Sequence, residues 1–279
     1  MAGEQKHGDF NIEIWLRNLL NKSNQVSQEE IDLVGNMLSD EIRKKPFKVA
    51  IIGQGGVGKT STIQSVFGVK PSTSNKIRSV EEGTTDVEEK VYEIADGFSL
   101  SIADMPGLKN DITKDEKIYI PLYKSILPDC DLIVYIIDSH AKELGVDIKI
   151  LRDTVIPICQ EAGKTKNIVI ALNKIDAIGE SFPEFRTNKE YHWDRIENKP
   201  TSTLDKLIEE RLMDIYRRLV KEKIFENIDV KQSPAYSAVY AYNMQGFLKA
   251  ILESERGWIF AGTVADKVMA KWSEKRFNK

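Results

Sequence analysis

From residue 47 onward the chain alternates between two hydrophobic rhythms. "FKVAIIG" (47–53) is a short apolar run, and "DLIVYIIDS" (131–139) and "NIVIALNK" (167–174) are almost continuously apolar. Such runs predict strands covered by helices on both faces of a parallel sheet. "VEEKVYEIA" (87–95) instead alternates like a half-exposed strand, and "FSLSIAD" (98–104) follows it across Asp96-Gly97, a hairpin dipeptide. Helical spacing occupies 60–68, 114–127, 145–162, 202–224 and 243–254. The βαβ alternation predicts a doubly wound α/β domain over 46–254, its mostly parallel sheet carrying one antiparallel edge strand.

Three segments stand outside that rhythm. Residues 1–45 read as helical: Ile12, Trp15, Leu16, Leu19 and Leu20 form one stripe. Ser27 and Glu30 then make a capping box ahead of Ile31, Val34, Leu38 and Ile42. The insert 177–201, "AIGESFPEFRTNKEYHWDRIENKPT", has no clear period, as expected of a connection that is functional or partly disordered. Its Trp193 reads either as a local anchor or as part of an effector surface. Residues 255–279 place Val264, Val268 and Trp272 on one face of a basic amphipathic helix with Lys267, Lys271, Lys275, Arg276 and Lys279. Docking of that helix on the domain is preferred over contact with a membrane or nucleic acid.

Composition narrows the class. The 279 residues are 41% hydrophobic and 30% charged, with a formal net charge of −3, which argues against a nucleic-acid-coating surface. No apolar run approaches the ~18 residues of a membrane span, and the N-terminal stretch lacks a signal-like apolar region. A cytoplasmic location is expected, with Cys130 and Cys159 as buried, reduced thiols. His7, His140 and His192 are scattered and suggest no metal site.

The chemistry concentrates in "GQGGVGKTS" (53–61). Gly53, Gly58, Lys59 and Thr60 fit G-x-x-x-x-G-K-[ST], with a predicted strand before and a helix after. Gly55, Gly56, Val57 and Ser61 complete a loop whose amides can turn towards phosphate oxygens, helped by the helix N-terminus. Lys59 would neutralise β- and γ-phosphates, and Thr60 would offer its hydroxyl to Mg²⁺. "NKID" (173–176) selects the base, because an aspartate there can accept both guanine N1–H and the exocyclic amine. "DMPG" (104–107) puts Asp104 near the metal and the Gly107 amide near the γ-phosphate. "GTTD" (83–86) offers Thr84 or Thr85 as a further metal ligand, and "YSAVY" (236–240) a Ser237-Ala238 pair beside the base.

With these motifs in this order, the chain resembles the TRAFAC-class GTPases and most closely the Era-like group. Over residues 25–254, "DMPGL", "YIPLYKSILPDCDLIVYIIDSHAKELGVD" and "HWDRIENKPTS" are similar to the YfjP/YeeP-type GTPases of bacterial prophages and mobile islands. The resemblance implies a P-loop GTPase fold, GTP or GDP as ligand and Mg²⁺ as cofactor. It implies catalytic roles for Lys59, Thr85 and Gly107, and metal contacts from Thr60, Thr85 and Asp104. Base contacts fall on Asn173, Lys174, Asp176, Ser237 and Ala238. It further implies GTP hydrolysis, switches at 72–86 and 104–116, and a protein effector or activator, with a homodimer through the switch face left open. Two departures matter. Gly56 replaces the asparagine of potassium-activated relatives, and Leu108 replaces the glutamine that orients water in Ras-like proteins. Leu108 keeps alive an alternative: a slow or non-hydrolysing GTP-dependent interaction module.

Overall fold

The computed structural model describes residues 46–67, 73–78, 87–95, 98–108, 119–141, 143–164, 167–224 and 233–252. The segments expected at 1–45 and 255–279, and Thr84 and Thr85, lie outside the described residues. Among the described residues, six strands form one sheet in the order β2-β3-β4-β1-β5-β6. Their ranges are β1 Phe47–Gly53, β2 Thr73–Arg78, β3 Val87–Ala95, β4 Phe98–Asp104, β5 Leu132–Asp138 and β6 Ile168–Asn173. β1, β4, β5 and β6 pair in parallel, whereas β3 pairs antiparallel with both β4 and β2. The antiparallel strand is therefore second from the edge rather than at it. β2, unforeseen from its sequence, supplies the edge.

Period-two alternation divides the core into two layers. Val49 and Ile51 of β1, Val134 and Ile136 of β5 and Val169 and Ala171 of β6 face one layer. There they meet Ile63 and Val66 of α1 (Lys59–Phe67) and Phe247, Leu248 and Ile251 of α6 (Met244–Leu252). Ala50, Ile52, Ile133, Tyr135, Ile137, Ile170 and Leu172 face the other layer. Covering it are α2 (Ile120–Ile126), α3 (Gly145–Ile150), α4 (Ile156–Glu161) and the C-terminal half of α5 (Ser202–Lys221). The near-continuous apolar strands are thus explained: both faces are buried.

The stretch expected as one helix over 145–162 is split. A π turn, Leu151–Val155, separates α3 from α4, and Pro157 opens α4. Proline has no N–H to return to the preceding turn and its ring crowds the carbonyl there, so a local widening relieves the ladder. α5 starts on Thr201, whose side chain accepts from Leu204 N at 3.3 Å. Its buried stripe Leu204, Ile208, Ile215 and Leu219 spans two clusters. The last two residues join the sheet core, and the first two join a small cluster with Ile175, Ile178 and Trp193.

That small cluster organises the insert. Ile175–Ser181 and Lys189–Tyr191 form 3₁₀ turns, and β7 (Trp193–Asp194) pairs with β8 (Lys199–Pro200) as a minimal hairpin. Phe185 stacks on Tyr191 with ring centroids 3.8 Å apart. Trp193 is 8% exposed. Of the two roles open to it from sequence, the structure shows the local anchor.

Candidate functional site

The described loops that carry the motifs open at the carboxyl ends of the parallel strands, where open α/β sheets receive ligands. The loop Gly53–Thr60 joins β1 to α1, with Val57 buried as its foot in the core. Gly58 has φ +94°, and a Cβ there would run into the side-chain nitrogen of Asn173, so only glycine fits. Gly55 and Gly56 are exposed in the loop, and Ser61 is exposed in the first turn of α1.

Lys59 folds over this loop. Its Nζ donates to Gly53 O at 3.2 Å and Gln54 O at 2.9 Å, and the side chain is 8% exposed. Burial lowers the Lys59 pKa, and the negative charge of Asp104 works against that shift. Thr60 Oγ1 donates to Asp104 Oδ2 at 2.8 Å, bringing together two residues expected at the metal. Their register explains the meeting: Asp104 ends β4 opposite Ile51 of β1. Among the described residues no group of three His, Cys, Asp or Glu side chains could hold a metal. A hydroxyl beside one carboxylate, both oxygen donors, suits magnesium, which takes its remaining ligands from phosphate and water.

The second motif loop lies directly on the first. Gln54 pairs with Leu108 in a parallel bridge. A Cβ on Gly107 would come within 2.6 Å of Gly55 N, so this glycine is required by the close approach of two backbones. Tyr123 OH of α2 fixes the same loop by donating to Pro106 O at 2.8 Å. Leu108 is 3% exposed and packs in the layer with Ala50, Met105 and Tyr123.

In the NKID motif, Asn173 uses both ends of its amide on the protein. Nδ2 donates to Val57 O at 2.9 Å, and Oδ1 accepts from Ala238 N at 3.0 Å. The structure thus makes this residue a tie between loops, a role the sequence had not suggested. Lys174 adopts φ 65° and its Nζ reaches Asp138 Oδ2 at 2.6 Å. Ser237 is buried, and its Oγ accepts from Tyr240 N at 3.2 Å. Tyr236 OH meets Thr62 Oγ1 of α1 at 2.9 Å, linking the segment of Ser237 to the helix that follows the glycine-rich loop. Asp176 differs from its neighbours: its Oδ1 is buried and has no hydrogen-bond partner among the described residues.

One feature of the site had no sequence signal. Gln54 Nε2 donates to Asp147 Oδ2 at 2.7 Å, and Tyr135 OH donates to Asp147 Oδ1 at 2.8 Å. Asp147 is 1% exposed in the first turn of α3, and the pair it forms with Gln54 spans 93 residues. Burial pushes its carboxyl up to about 6, against the lowering effect of the two hydrogen bonds.

Residues 48–174 match the family described as 50S ribosome-binding GTPase. The tRNA modification GTPase MnmE of Clostridioides difficile (strain 630) is 30% identical over 164 residues, covering 58% of this chain and 33% of that protein. GTPase Der of Nautilia profundicola is 26% identical over 214 residues, covering 70% of this chain and 43% of that one. The crystal structure of a point variant of Aquifex aeolicus Era bound to GDP.AlF4- is 22% identical with a TM-score of 0.48, covering 74% of this chain and 56% of that chain. This chain spans less than half the length of these two curated relatives. The chain carries an α/β P-loop GTPase domain. Within that class, the matched residues are similar to the GTPase domains of MnmE and Der.

The buried carboxyl of Asp147 makes a pH prediction. Its folded pKa of about 6 lies above the ordinary 3.8, so the folded state holds the proton more tightly. That contribution to stability is complete below about 3.8 and is lost as pH rises through about 6, in all on the order of 2–3 kcal/mol. Asp147→Asn keeps the shape without the charge. Urea melts at pH 5 and pH 8 are expected to show the variant gaining on the parent at the higher pH. Parallel pH dependence in the two proteins would contradict the assignment.

Proposed function

We propose that this domain binds GTP, hydrolyses it to GDP and phosphate, and signals through movement of residues 72–86 and 104–116. The observation that carries the reading is the buried Asp176 Oδ1 without a hydrogen-bond partner among the described residues. An unpaired buried carboxylate oxygen is costly, and the paired N–H donors of guanine would satisfy it where adenine offers no such pair. Ser237 and Ala238 flank the base in this reading, with Lys174 beside it, while Asn173 holds their loop to the phosphate loop.

The phosphates lie in the loop Gly53–Ser61. The Nζ of Lys59 donates to the carbonyls of Gly53 and Gln54, and in this reading its ammonium neutralises β- and γ-phosphate oxygens. Thr60 and Asp104 would hold magnesium, with Thr85 as a further ligand, and the ion would neutralise charge on the phosphate oxygens. The Gly107 amide donates to the γ-phosphate. Water attacks the γ-phosphorus in line, the bond to the β,γ-bridging oxygen breaks, and the water's proton ends on the released phosphate. Within the class, the sequence from 25 to 254 supports kinship with the YfjP/YeeP-type GTPases.

A second reading has its own support. Leu108 packs in the core, so the residue after Gly107 brings no polar side chain to the water. The domain then acts as a slow or non-hydrolysing GTP-dependent interaction module. Its activating group comes from a partner protein or from a second copy across the switch face.

Asp176→Asn is expected to lose GTP affinity and gain xanthosine triphosphate affinity, because the amide complements the xanthine carbonyl. The loss should reach ~1–3 kcal/mol for each base donor left unpaired. Unchanged GTP affinity would remove the base assignment.

Leu108→Ala should lower stability by about 2–4 kcal/mol, the usual cost of emptying a buried leucine site. Its basal phosphate-release rate should change by less than about tenfold, since an apolar side chain offers water no hydrogen bond. A larger rate change, measured well below melting, would place Leu108 in the chemistry.

Single-turnover phosphate release by the parent should run at or below the order of 10⁻² per second. Exchanging potassium for sodium should alter it little, given Gly56. Fast turnover independent of protein concentration would mean that one chain holds a complete catalytic apparatus; turnover rising with concentration would mean the dimer.

A further inference from the structure

We propose that the hairpin of the insert clamps the base loops, with Trp193 as the positioning residue that sets how long a guanine nucleotide stays bound. This rests on the guanine-nucleotide reading of the site. A hairpin of two-residue strands cannot hold itself together in water. It is held by its tryptophan. The indole stacks on Tyr240 with centroids 5.1 Å apart and planes at 17°, and meets the Tyr242 ring edge-on at 5.1 Å.

Those two tyrosines belong to the loop that carries Ser237 and Ala238. The loop does not favour its own conformation: Ala241 and Asn243 both sit at φ +53°. Its closure depends on the reciprocal backbone bonds of Ser237 and Tyr242 and on Asn243 Nδ2, which donates to Ala235 O at 2.8 Å. The insert adds an outer brace. Asn198, at the hairpin turn, accepts from Trp193 Nε1 at 3.3 Å and donates through Nδ2 to Tyr240 O at 3.0 Å.

The brace also touches the other base loop. Ile175 and Ile178, on either side of Asp176, share the cluster with Trp193, and Tyr240 and Tyr242 pack against it. Gly179 lies so close to Tyr191 O that a Cβ would collide with it. From Ala238 N the connection continues through Asn173 to Val57 O in the phosphate loop. Trp193 thus stands behind both walls of the base site without touching the position assigned to the base. Preorganised walls slow release, because leaving requires the loops to part.

The test measures release of N-methylanthraniloyl GDP and its inosine counterpart from the full chain and three variants. Trp193→Ala should release GDP about tenfold faster or more, a scale set by the loss of two aromatic contacts and one hydrogen bond. Trp193→Phe keeps a ring in the stack and should stay within about threefold of the parent. Asn198→Gly removes only the brace; glycine accepts the φ of +50° there, so this variant should fold even if Trp193→Ala does not. It should release GDP several-fold faster. Inosine lacks the exocyclic amine, so a loosened clamp should narrow the difference between the GDP and inosine diphosphate rates. Unchanged release in Asn198→Gly and Trp193→Ala, or equal acceleration of both nucleotides, would overturn the clamp. A parent that binds no guanine nucleotide would instead sink the reading on which the clamp rests.

Discussion

The amide of Asn173 joins three loops that arrive from distant parts of the chain. It stands at the end of β6, gives its N–H to the carbonyl of Val57 and takes the N–H of Ala238. Both bonds are buried, so losing either end would strand a polar backbone group away from water. The fit is tight enough that Gly58 can carry no side chain beside it. The glycine-rich loop and the loops of Asn173 and Ala238 therefore keep one spacing. The remaining contacts of the site build on that spacing.

The sheet supplies the other constraint. Because β1 lies between β4 and β5, its C-terminal loop has Asp104 on one side and the Asp138–Ser139 turn on the other. Close backbone approach at Gly107 seats the DMPG loop on the phosphate loop, and Lys59 and Thr60 then face the carboxylate of Asp104 at short range. The buried Asp147 adds a restraint from α3 by holding the Gln54 side chain. The glycine-rich loop is thus held by close backbone packing at Gly107, and the loops of Asp176 and Ala238 by Asn173 and the packing of Trp193.

Much of this was legible from sequence because it rests on local periodicity or on residue types that one chemistry demands. The bounds of β1 were read from a short apolar run, those of β3 from alternation and those of β4 from the hairpin dipeptide before it, and the phosphate loop from its glycines and lysine. β2 escaped notice because "TSNKIR" has no apolar face; its strand exists through backbone pairing at a sheet edge, where charged and polar residues are tolerated. The break in the α3–α4 helix was signalled by Pro157, yet periodicity alone ran across it. Gln54 and Asp147 carry no mark of partnership, since only the fold brings them together. Trp193 in a polar stretch was a visible signal with two meanings, and packing against Tyr240 and Tyr242 decided between them.

Three loops tied by Asn173 should make a site selective for guanine nucleotides. Calorimetric titration of the full chain with GDP and with ADP, in magnesium, tests this most directly. Two base donors matched to the Asp176 carboxylate should make GDP bind more tightly than ADP by about a hundredfold or more. Equal affinities for the two nucleotides would contradict the account.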